Sequence, residues 1–333
     1  MNKAFNSIAS GVFALTFLAS LACAAEKPIV GTDAYKAFEA KMIKDHGFKL
    51  DDLKALFSKA EYKQSIIDSI SRPAESTMTW ARYQTIFLKD RWINMGAEFW
   101  KENKAILDRA EKQYGVDPAI IVAIIGVETR YGDITGGYRV IDALSTLSFH
   151  YPKRAKFFVG QLEEILLIAR QENVDPLSLN GSYAGAMGMP QFIPTSYTHY
   201  AVDFNNDGVR DLWDSNEDVI GSVANYFAEH KWQAGGPVAF PVKVEGSAWQ
   251  DVRSRHGKAT HTGLELAAMG ISIPMGIGSN AKLGFLEFEG TEKLEHWITG
   301  NNFYVITRYN HSKLYAMAVL QLAEKIRNQY VSK

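Results

Sequence analysis

The sequence predicts a mainly helical protein of the α+β class, with a helical body and a small strand-containing subdomain. Apolar residues recur at three- and four-residue spacing through most of residues 32–114, which is the helical period. An apolar run at residues 120–128 follows a strong helix-start signal. Residues 238–244 are rich in β-formers, and residues 284–290 alternate apolar and charged side chains, as strands do.

The individual elements follow from the same patterns. We expect helices over residues 32–46, 53–59, 62–70, 99–114, 152–170, 194–200, 216–231 and 312–327, and a short strand over residues 303–307. The predicted units are a helical N-terminal region (26–115), a core (116–236), the strand-containing subdomain (237–306) and a C-terminal segment (307–333) that returns to the core.

Residues 1–25 have the pattern of a secretory signal peptide. Lys3 precedes an uncharged, mostly apolar stretch at residues 8–22, and small residues follow it. The stretch is shorter than the roughly 20 residues that span a bilayer as a helix. We therefore expect a protein that is soluble in the periplasm after the signal peptide is cleaved. The first alternative is that this stretch is not cleaved and stays in the membrane as an anchor. The second is an outer-membrane lipoprotein attached through Cys23, the only cysteine, although Ser20 stands where such signals usually carry leucine.

The composition is that of an ordinary globular protein. The 333 residues are 47% hydrophobic and 22% charged, and the formal net charge is −1. This balance, without a dense block of lysine and arginine, argues against a nucleic-acid partner. The histidines show no pair at metal-ligand spacing, so a zinc site is not expected.

Glu128 is the first candidate for chemistry, because it is the single carboxylate in the run IIVAIIGVETRYG (residues 120–132). Asp117 is a good N-cap and Pro118 suits the first helical position, so the helix should end near Glu128. Apolar surroundings and the negative end of the helix dipole should raise the pKa of this side chain. A carboxylic acid that stays protonated near neutral pH is what general acid catalysis needs. The alternative is a helix-end glutamate that is solvated or paired with Arg130.

The most specific local motif is the acidic loop at residues 203–214, DFNNDGVRDLWD. Its oxygen-bearing residues and Gly208 have the spacing of an EF-hand calcium loop, although position 12 is aspartate rather than the usual glutamate. We expect a structural calcium ion, weaker than a sensor site; the alternative is an acidic surface loop with coincidental spacing. The predicted ligands are Asp203, Asn205, Asp207, Val209 (by its backbone carbonyl), Asp211 (directly or through water) and Asp214.

A second cluster lies at residues 180–194, NGSYAGAMGMPQFIP. Its small residues would let the backbone approach a ligand closely, while Gln191 adds an amide and Phe192 a stacking face. The alternative, which these residues alone favour, is a tight packing turn with Met187 and Met189 as core filler.

Together the motifs resemble one family, the membrane-bound lytic transglycosylase B family of bacterial cell-wall enzymes. The resemblance rests on VETRYG, LSFHYPKRAKFF, GSYAGAMGMPQFIP, DFNNDGVRDLWD, IGSVANYF and RYNHSKLYAMAV, in that order, and covers most of the chain after the signal peptide. It implies a mainly α (α+β) fold, in which residues 116–236 form a lysozyme-like helical catalytic core with an EF-hand-like loop.

The resemblance also assigns roles to matching positions. Glu128 lies where the family has its one catalytic acid/base. Lys153 departs from the pair of arginines expected beside Arg154, which puts bidentate carboxylate binding there in doubt. Each aromatic candidate could equally belong to the core. The implied substrate-binding residues are Ser182 and Gln191 in the cleft, Tyr226, Tyr309 and Asn310 around the reacting sugar, Tyr83 and Phe192 as aromatic walls, and Arg154 toward carboxylates of the cell wall.

The implied activity is that of a peptidoglycan lytic transglycosylase. Ordinary glycoside hydrolases use two carboxylates, but Asp133 and Asp142, the nearest in sequence to Glu128, lie at a turn and at a likely helix cap. The resemblance implies that Glu128 alone cleaves the β-1,4 bond between N-acetylmuramic acid and N-acetylglucosamine and leaves 1,6-anhydromuramoyl ends. Two alternatives stay open: a muramidase-type hydrolase of the same bond, and a non-catalytic peptidoglycan-binding protein.

The expected ligands follow from this activity. They are peptidoglycan glycan strands and a structural calcium ion, with no organic cofactor and no nucleic acid. Proteins of cell-wall synthesis or of the division machinery stay open as partners.

Overall fold

The structure, a computed structural model, describes residues 27–71, 78–254 and 256–332. The predicted signal peptide and Cys23 therefore lie outside the described residues. Within those residues, no helix combines the length and the apolar character needed to cross a bilayer.

Helices make up most of the described chain. They are α1 (Asp33–His46), α2 (Leu50–Phe57), α3 (Gln64–Ile70), α4 (Trp80–Phe87), α5 (Asp90–Glu102), α6 (Lys104–Tyr114), α7 (Pro118–Thr129), α8 (Val140–His150), α9 (Ala155–Gln171), α10 (Pro194–Tyr200), α11 (Asn216–Glu229), α12 (Gly263–Ala268), α13 (Asn301–Tyr309) and α14 (Lys313–Val331). Short 3-10 turns occupy Pro152–Arg154 and Ala248–Val252.

The strands form two antiparallel sheets. A two-stranded sheet pairs β1 (Tyr138–Arg139) with β2 (Asn180–Gly181). The second sheet has four strands in the spatial order β3 (Ala239–Val242), β6 (Leu294–Thr299), β5 (Lys282–Glu289) and β4 (His261–Thr262). The mainly helical α+β class predicted from the sequence is confirmed.

Two of the predicted elements are wrong. The segment 303–307 is not a strand but the middle of α13, because a short apolar run fits a buried helix face as well as a strand. The expected helix over residues 99–114 is two helices that break at Asn103. There the side-chain amide and the backbone N–H both donate to the carbonyl of Phe99, at 2.9 and 3.0 Å, so a local side-chain bond ends the first helix.

Helix α7 is the centre of the helical body. Ten of its twelve residues are buried, and it packs against α5, α6, α11 and α14. A helix that is apolar on every side must be surrounded in this way. Each fully buried aliphatic side chain contributes about 1.5–3 kcal/mol relative to an exposed one, so α7 is held firmly in place.

The four-stranded sheet joins the subdomain to the helical body through its two faces. Leu283 and Phe285 face a small cluster with Ile271. Leu286 and Phe288 alternate with them along β5 and belong to the main core around α7. The period-2 alternation of β5 therefore gives one strand two hydrophobic environments.

Candidate active site

Glu128 lies in the last turn of α7, as the sequence predicts. Asp117 caps the start of the helix through a bond from the N–H of Ala119 (2.9 Å), and Thr129 is the last helical residue. The glutamate is half-buried. It lines a cleft of about 170 Å³ together with Ile86, Phe87, Trp92 and Ile134. The carboxyl group thus stands at the boundary between the core and an apolar-walled cleft.

Tyr315 holds the carboxyl group of Glu128. Its hydroxyl donates a hydrogen bond to Glu128 Oε1 at 2.6 Å, and the side chain is only 2% exposed. Burial, followed by the negative charge of Glu128, raises the pKa of Tyr315 well above its usual range, so the hydroxyl keeps its proton. The sequence patterns do not indicate this individual contact, although Tyr315 stands in the RYNHSKLYAMAV motif.

Three of the predicted substrate-binding aromatics come together beside Tyr315. The rings of Tyr226 and Tyr309 are 4.7 Å apart, and Phe192 lies 5.7 and 5.9 Å from them. Tyr309 is stacked with Tyr315 at 6.5 Å, and the charge of Glu128 contributes, after burial, to raising the pKa of Tyr309. The hydroxyls of Tyr309 and Tyr226 donate to the carbonyls of Pro190 and Arg308, at 2.6 and 2.7 Å.

Ser182 and Gln191 shape the segment 180–191. Ser182 Oγ accepts from the N–H groups of Ala184 and Ala186 at 3.3 and 3.1 Å. The Gln191 side-chain amide donates to the carbonyls of Thr135 and Gly188, at 2.9 and 3.0 Å, while its backbone is left-handed (φ 50°). The segment is therefore a compact, internally bonded unit.

The small residues of this segment are needed for backbone packing. A Cβ at Gly188 would lie 2.4 Å from the carbonyl oxygen of Leu212, and one at Gly181 would lie 2.2 Å from that of Ala186. Met187 is fully buried. These positions therefore have the close backbone contacts that the packing-turn alternative expects, while Met189 is half-buried.

Met189 ties this segment to both of its neighbours. Its carbonyl accepts from the hydroxyl of Thr129 at 2.9 Å, and its N–H donates to the carbonyl of Leu212 at 2.8 Å. The same Thr129 hydroxyl accepts from the N–H of Gly132 at 3.2 Å. The residue next to Glu128 therefore fixes the segment that carries Ser182 and Gln191.

The remaining predicted residues lie in different settings. Tyr83 and Phe192 are 3% and 2% exposed, so both rings pack against the protein. Asn310 directly follows α13, and its carbonyl accepts from the N–H of Ser312 at 2.8 Å. Arg154 is exposed before α9, with its guanidinium 4.3 Å from the centre of the Phe157 ring. Their roles toward a substrate stay predictions.

The acidic loop forms a bonded turn in its first half. Asp203 accepts from the N–H groups of Asp207 (3.1 Å) and Gly208 (2.8 Å), and Asn205 Oδ1 accepts from that of Asp207 (3.0 Å). Gly208 is left-handed (φ 95°), as position 6 of an EF-hand loop requires. Asp207 in turn accepts from the N–H of Val209 at 2.9 Å.

The second half of the loop has hydrogen bonds of its own. Asp211 Oδ1 accepts from the N–H groups of Trp213 and Asp214, at 2.8 and 3.0 Å. Across the part of the chain that the structure describes, no three acidic, histidine or cysteine side chains gather at one metal-sized point. The oxygen donors of Asp203, Asn205 and Asp207 suit a hard cation, but the structure does not bring Asp211 and Asp214 to them as one cluster.

Asp218 is a further residue of the loop region that the sequence motifs do not indicate. Its fully buried carboxylate accepts from the N–H groups of Phe204 (2.7 Å), Asn205 (3.3 Å) and Asp211 (2.9 Å). Burial raises its pKa, while these backbone bonds lower it in part. Asp218 thereby joins α11 to both halves of the loop. Its only sequence signal is an acidic residue in the first turn of an apolar helix.

Comparison with known proteins gives a consistent result. The family model described as "Transglycosylase SLT domain" matches residues 31–324. The "Membrane-bound lytic murein transglycosylase B" of Escherichia coli (strain K12) is 43% identical over 298 residues, which is 87% of this chain and 81% of that protein.

Solved structures resemble the whole described fold. The soluble lytic transglycosylase SltB1 of Pseudomonas aeruginosa has a TM-score of 0.84 and 48% identity, covering 88% of this chain and 98% of that chain. The Escherichia coli lytic transglycosylase Slt35, solved in complex with calcium, has a TM-score of 0.85 and 40% identity, covering 92% and 96%. SltB3 of Pseudomonas aeruginosa, solved with NAG-NAM-pentapeptide, has a TM-score of 0.79 and 30% identity, covering 88% and 78%.

The hydrogen bond from the Thr129 hydroxyl should contribute measurably to the free energy of unfolding. Thr129→Val keeps the side-chain volume but leaves the Met189 carbonyl without its donor, so the free energy of unfolding should fall by about 1–3 kcal/mol in urea denaturation. Thr129→Ser keeps the hydroxyl and should lose less. Equal losses in the two variants would show that the hydroxyl is not the source.

Proposed function

Because this chain belongs to the family of transglycosylases with an SLT domain, we propose that Glu128 is the single acid/base of a lytic murein transglycosylase that leaves 1,6-anhydromuramoyl ends. The enzyme is a lyase that acts on the glycan strands of peptidoglycan. The observation that carries the proposed mechanism is the hydrogen bond from buried Tyr315 to Glu128 at the edge of the cleft.

The residues that line the cleft, and the settings of the nearby aspartates, support a mechanism with a single carboxylate. Glu128 is the one acidic residue among the described residues that line it. Asp142 is 2% exposed and accepts hydrogen bonds from Arg139 at 2.8 and 3.0 Å, so its carboxylate forms an ion pair inside the protein. Asp133 is exposed. A mechanism with two facing carboxylates therefore has no support from the nearby aspartates.

The proposed reaction uses a nucleophile from the substrate. Protonated Glu128 donates to the glycosidic oxygen that joins N-acetylmuramic acid to N-acetylglucosamine, and the bond from that oxygen to C1 breaks. The 2-acetamido oxygen stabilises the cation-like sugar. The carboxylate of Glu128 then removes the proton of the C6 hydroxyl, whose oxygen bonds to C1. The proton returns to Glu128 and no water is consumed.

The surroundings of Glu128 suit both steps. Partial burial and the negative end of α7 favour the neutral acid that starts the reaction. The Tyr315 hydroxyl, which donates to Oε1, favours the carboxylate that remains after proton donation. General acid–base catalysis needs both forms to be accessible.

The substrate-binding roles predicted from the resemblance belong to the same proposal. Tyr226 and Tyr309 stand in one aromatic cluster beside Tyr315, which supports their placement around the reacting sugar. Arg154 is exposed and can meet carboxylates of the cell wall. The remaining residues proposed for the substrate are Ser182, Gln191, Asn310, Tyr83 and Phe192.

Two further parts of the proposal concern location and metal. We propose that the mature enzyme acts in the periplasm, with lipid attachment through Cys23 as the alternative. We also propose that residues 203–214 hold a structural calcium ion. Support comes from the oxygen donors of Asp203, Asn205 and Asp207, the conformation of Gly208, and the relative Slt35, which was solved with calcium.

Glu128→Gln should abolish cleavage of purified sacculi, because an amide cannot donate and then accept the proton. The thermal midpoint should stay close to that of the unchanged protein, and mass spectrometry of the products of the unchanged protein should show ends one water lighter than reducing ends. Reducing ends would establish the muramidase alternative. Failure of the unchanged protein to solubilise sacculi would favour a binding protein.

Tyr315→Phe should lower kcat by about tenfold or more, because the ring stays in the core while Glu128 loses the donor that orients it. The measurement is kcat and KM on soluble muropeptide oligomers. An unchanged kcat would remove Tyr315 from the mechanism.

Calcium should raise the thermal midpoint of the full chain, since a ligand at about 100 times its Kd stabilises the folded state by about 2.7 kcal/mol. The double variant Asp203→Asn, Asp207→Asn should lose this increase. The matched control is Asp51→Asn, which alters an exposed carboxylate on α2 and should keep it. If calcium and EGTA gave the same midpoint for the unchanged chain, the loop would not be a calcium site.

A further inference from the structure

We infer that Tyr131 is a positioning residue for Glu128, because its phenol ring is wedged between two glycines of neighbouring helices and fixes the turn that ends α7. The inference rests on the proposed role of Glu128. It adds a residue that does not line the cleft and that the predicted site does not include.

The backbone of this turn is the first observation. Arg130 and Tyr131 are consecutive non-glycine residues in the left-handed region, with φ of 54° and 61°. Such a conformation is unfavourable for bulky side chains and persists only where the surroundings impose it. In return, the N–H groups of Arg130 and Tyr131 donate to the carbonyls of Gly126 (3.0 Å) and Ile125 (3.3 Å). These bonds close the helical turn that carries Glu128.

The second observation is the close packing around the Tyr131 side chain. Its hydroxyl oxygen lies 2.5 Å from where a Cβ would stand at Gly96 on α5, and 2.5 Å from where one would stand at Gly126 on α7. The hydroxyl donates to the carbonyl of Trp92 at 2.9 Å. Any larger residue at either glycine would collide with the phenol. The two glycines therefore form a slot for the phenol, and at Gly96 the side chain of Ile326 on α14 borders the same slot.

The slot lies between α5 and α7, the helices that carry Trp92 and Glu128. Trp92 on α5 lines the Glu128 cleft, and the Arg130 guanidinium lies 4.5 Å from the centre of its ring. Helix α14, which carries Tyr315, packs on both α5 and α7. Tyr131 thus fixes Glu128 relative to the cleft wall and to its hydrogen-bond donor. Because an error of about 1 Å in a reacting group can cost about a hundredfold in rate, this wedge should matter for turnover.

The test compares two tyrosines that each donate one hydrogen bond of 2.9 Å. Tyr131→Phe keeps the ring in the slot but removes its bond to the Trp92 carbonyl. Tyr35→Phe removes the bond to Glu39 in the separate hydrophobic cluster around α1 and is the matched control. On soluble muropeptide oligomers, Tyr131→Phe should lower kcat about tenfold with KM within about twofold of its original value. Tyr35→Phe should change neither.

A second variant approaches the slot from the other helix. Gly96→Ala places a methyl group against the Tyr131 hydroxyl and against Ile326 of α14, 2.7 Å from its Cδ1, and should also lower kcat more than KM rises. Equal kcat values for Tyr131→Phe and Tyr35→Phe, with only the thermal midpoint lowered, would make Tyr131 a purely structural residue and overturn the inference. A change in KM alone would overturn it as well. Retained activity in Glu128→Gln would instead contradict the proposed function, so the two failures are distinguishable.

Discussion

The structure depends on one constraint: a helix that is buried on every side has to end with an ionisable side chain at a cleft. The burial of α7 fixes its axis, because its neighbours α5, α6, α11 and α14 pack around it. A buried helix end must also satisfy its free backbone groups. Asp117 does so at the start, and the left-handed pair Arg130 and Tyr131 does so at the end. The backbone of Glu128 can then move only if the surrounding core moves.

The segment that carries Ser182 and Gln191 is also fixed to α7 by hydrogen bonding. The Met189 carbonyl accepts a hydrogen bond from Thr129, the neighbour of Glu128. Its N–H donates to the carbonyl of Leu212, which lies in the acidic loop. One residue therefore connects α7 to the loop for which we propose calcium. A structural metal at that loop would stabilise the cleft without contacting a substrate. Such a role agrees with the loop's connection to α11 through Asp218.

Sequence patterns predicted what is local and missed what is distant. The cap and proline of α7, the position of Glu128 and the turn around Gly208 each depend on a few adjacent residues, and the structure contains them. The contact between Tyr315 and Glu128 joins residues 187 positions apart, so no local pattern could reveal it. The segment 303–307 failed for a related reason. Its side chains suit either a strand or a buried helix, and only the surrounding core decides.

Glu128 is the one carboxylate among the described residues that line the cleft, and this has a chemical consequence for the proposed mechanism. In a two-carboxylate site, the second group attacks the sugar or activates water, but here Arg139 engages the buried Asp142. The Tyr315 hydroxyl bonds Glu128, and burial keeps both this hydroxyl and that of the neighbouring Tyr309 protonated, so they can donate hydrogen bonds but cannot act as bases near neutral pH. In the proposed mechanism, Glu128 itself is the base after proton donation. A hydroxyl already attached to the substrate is held near the reacting carbon at a high effective concentration. In the proposed mechanism, ring closure within the sugar therefore needs no base other than Glu128.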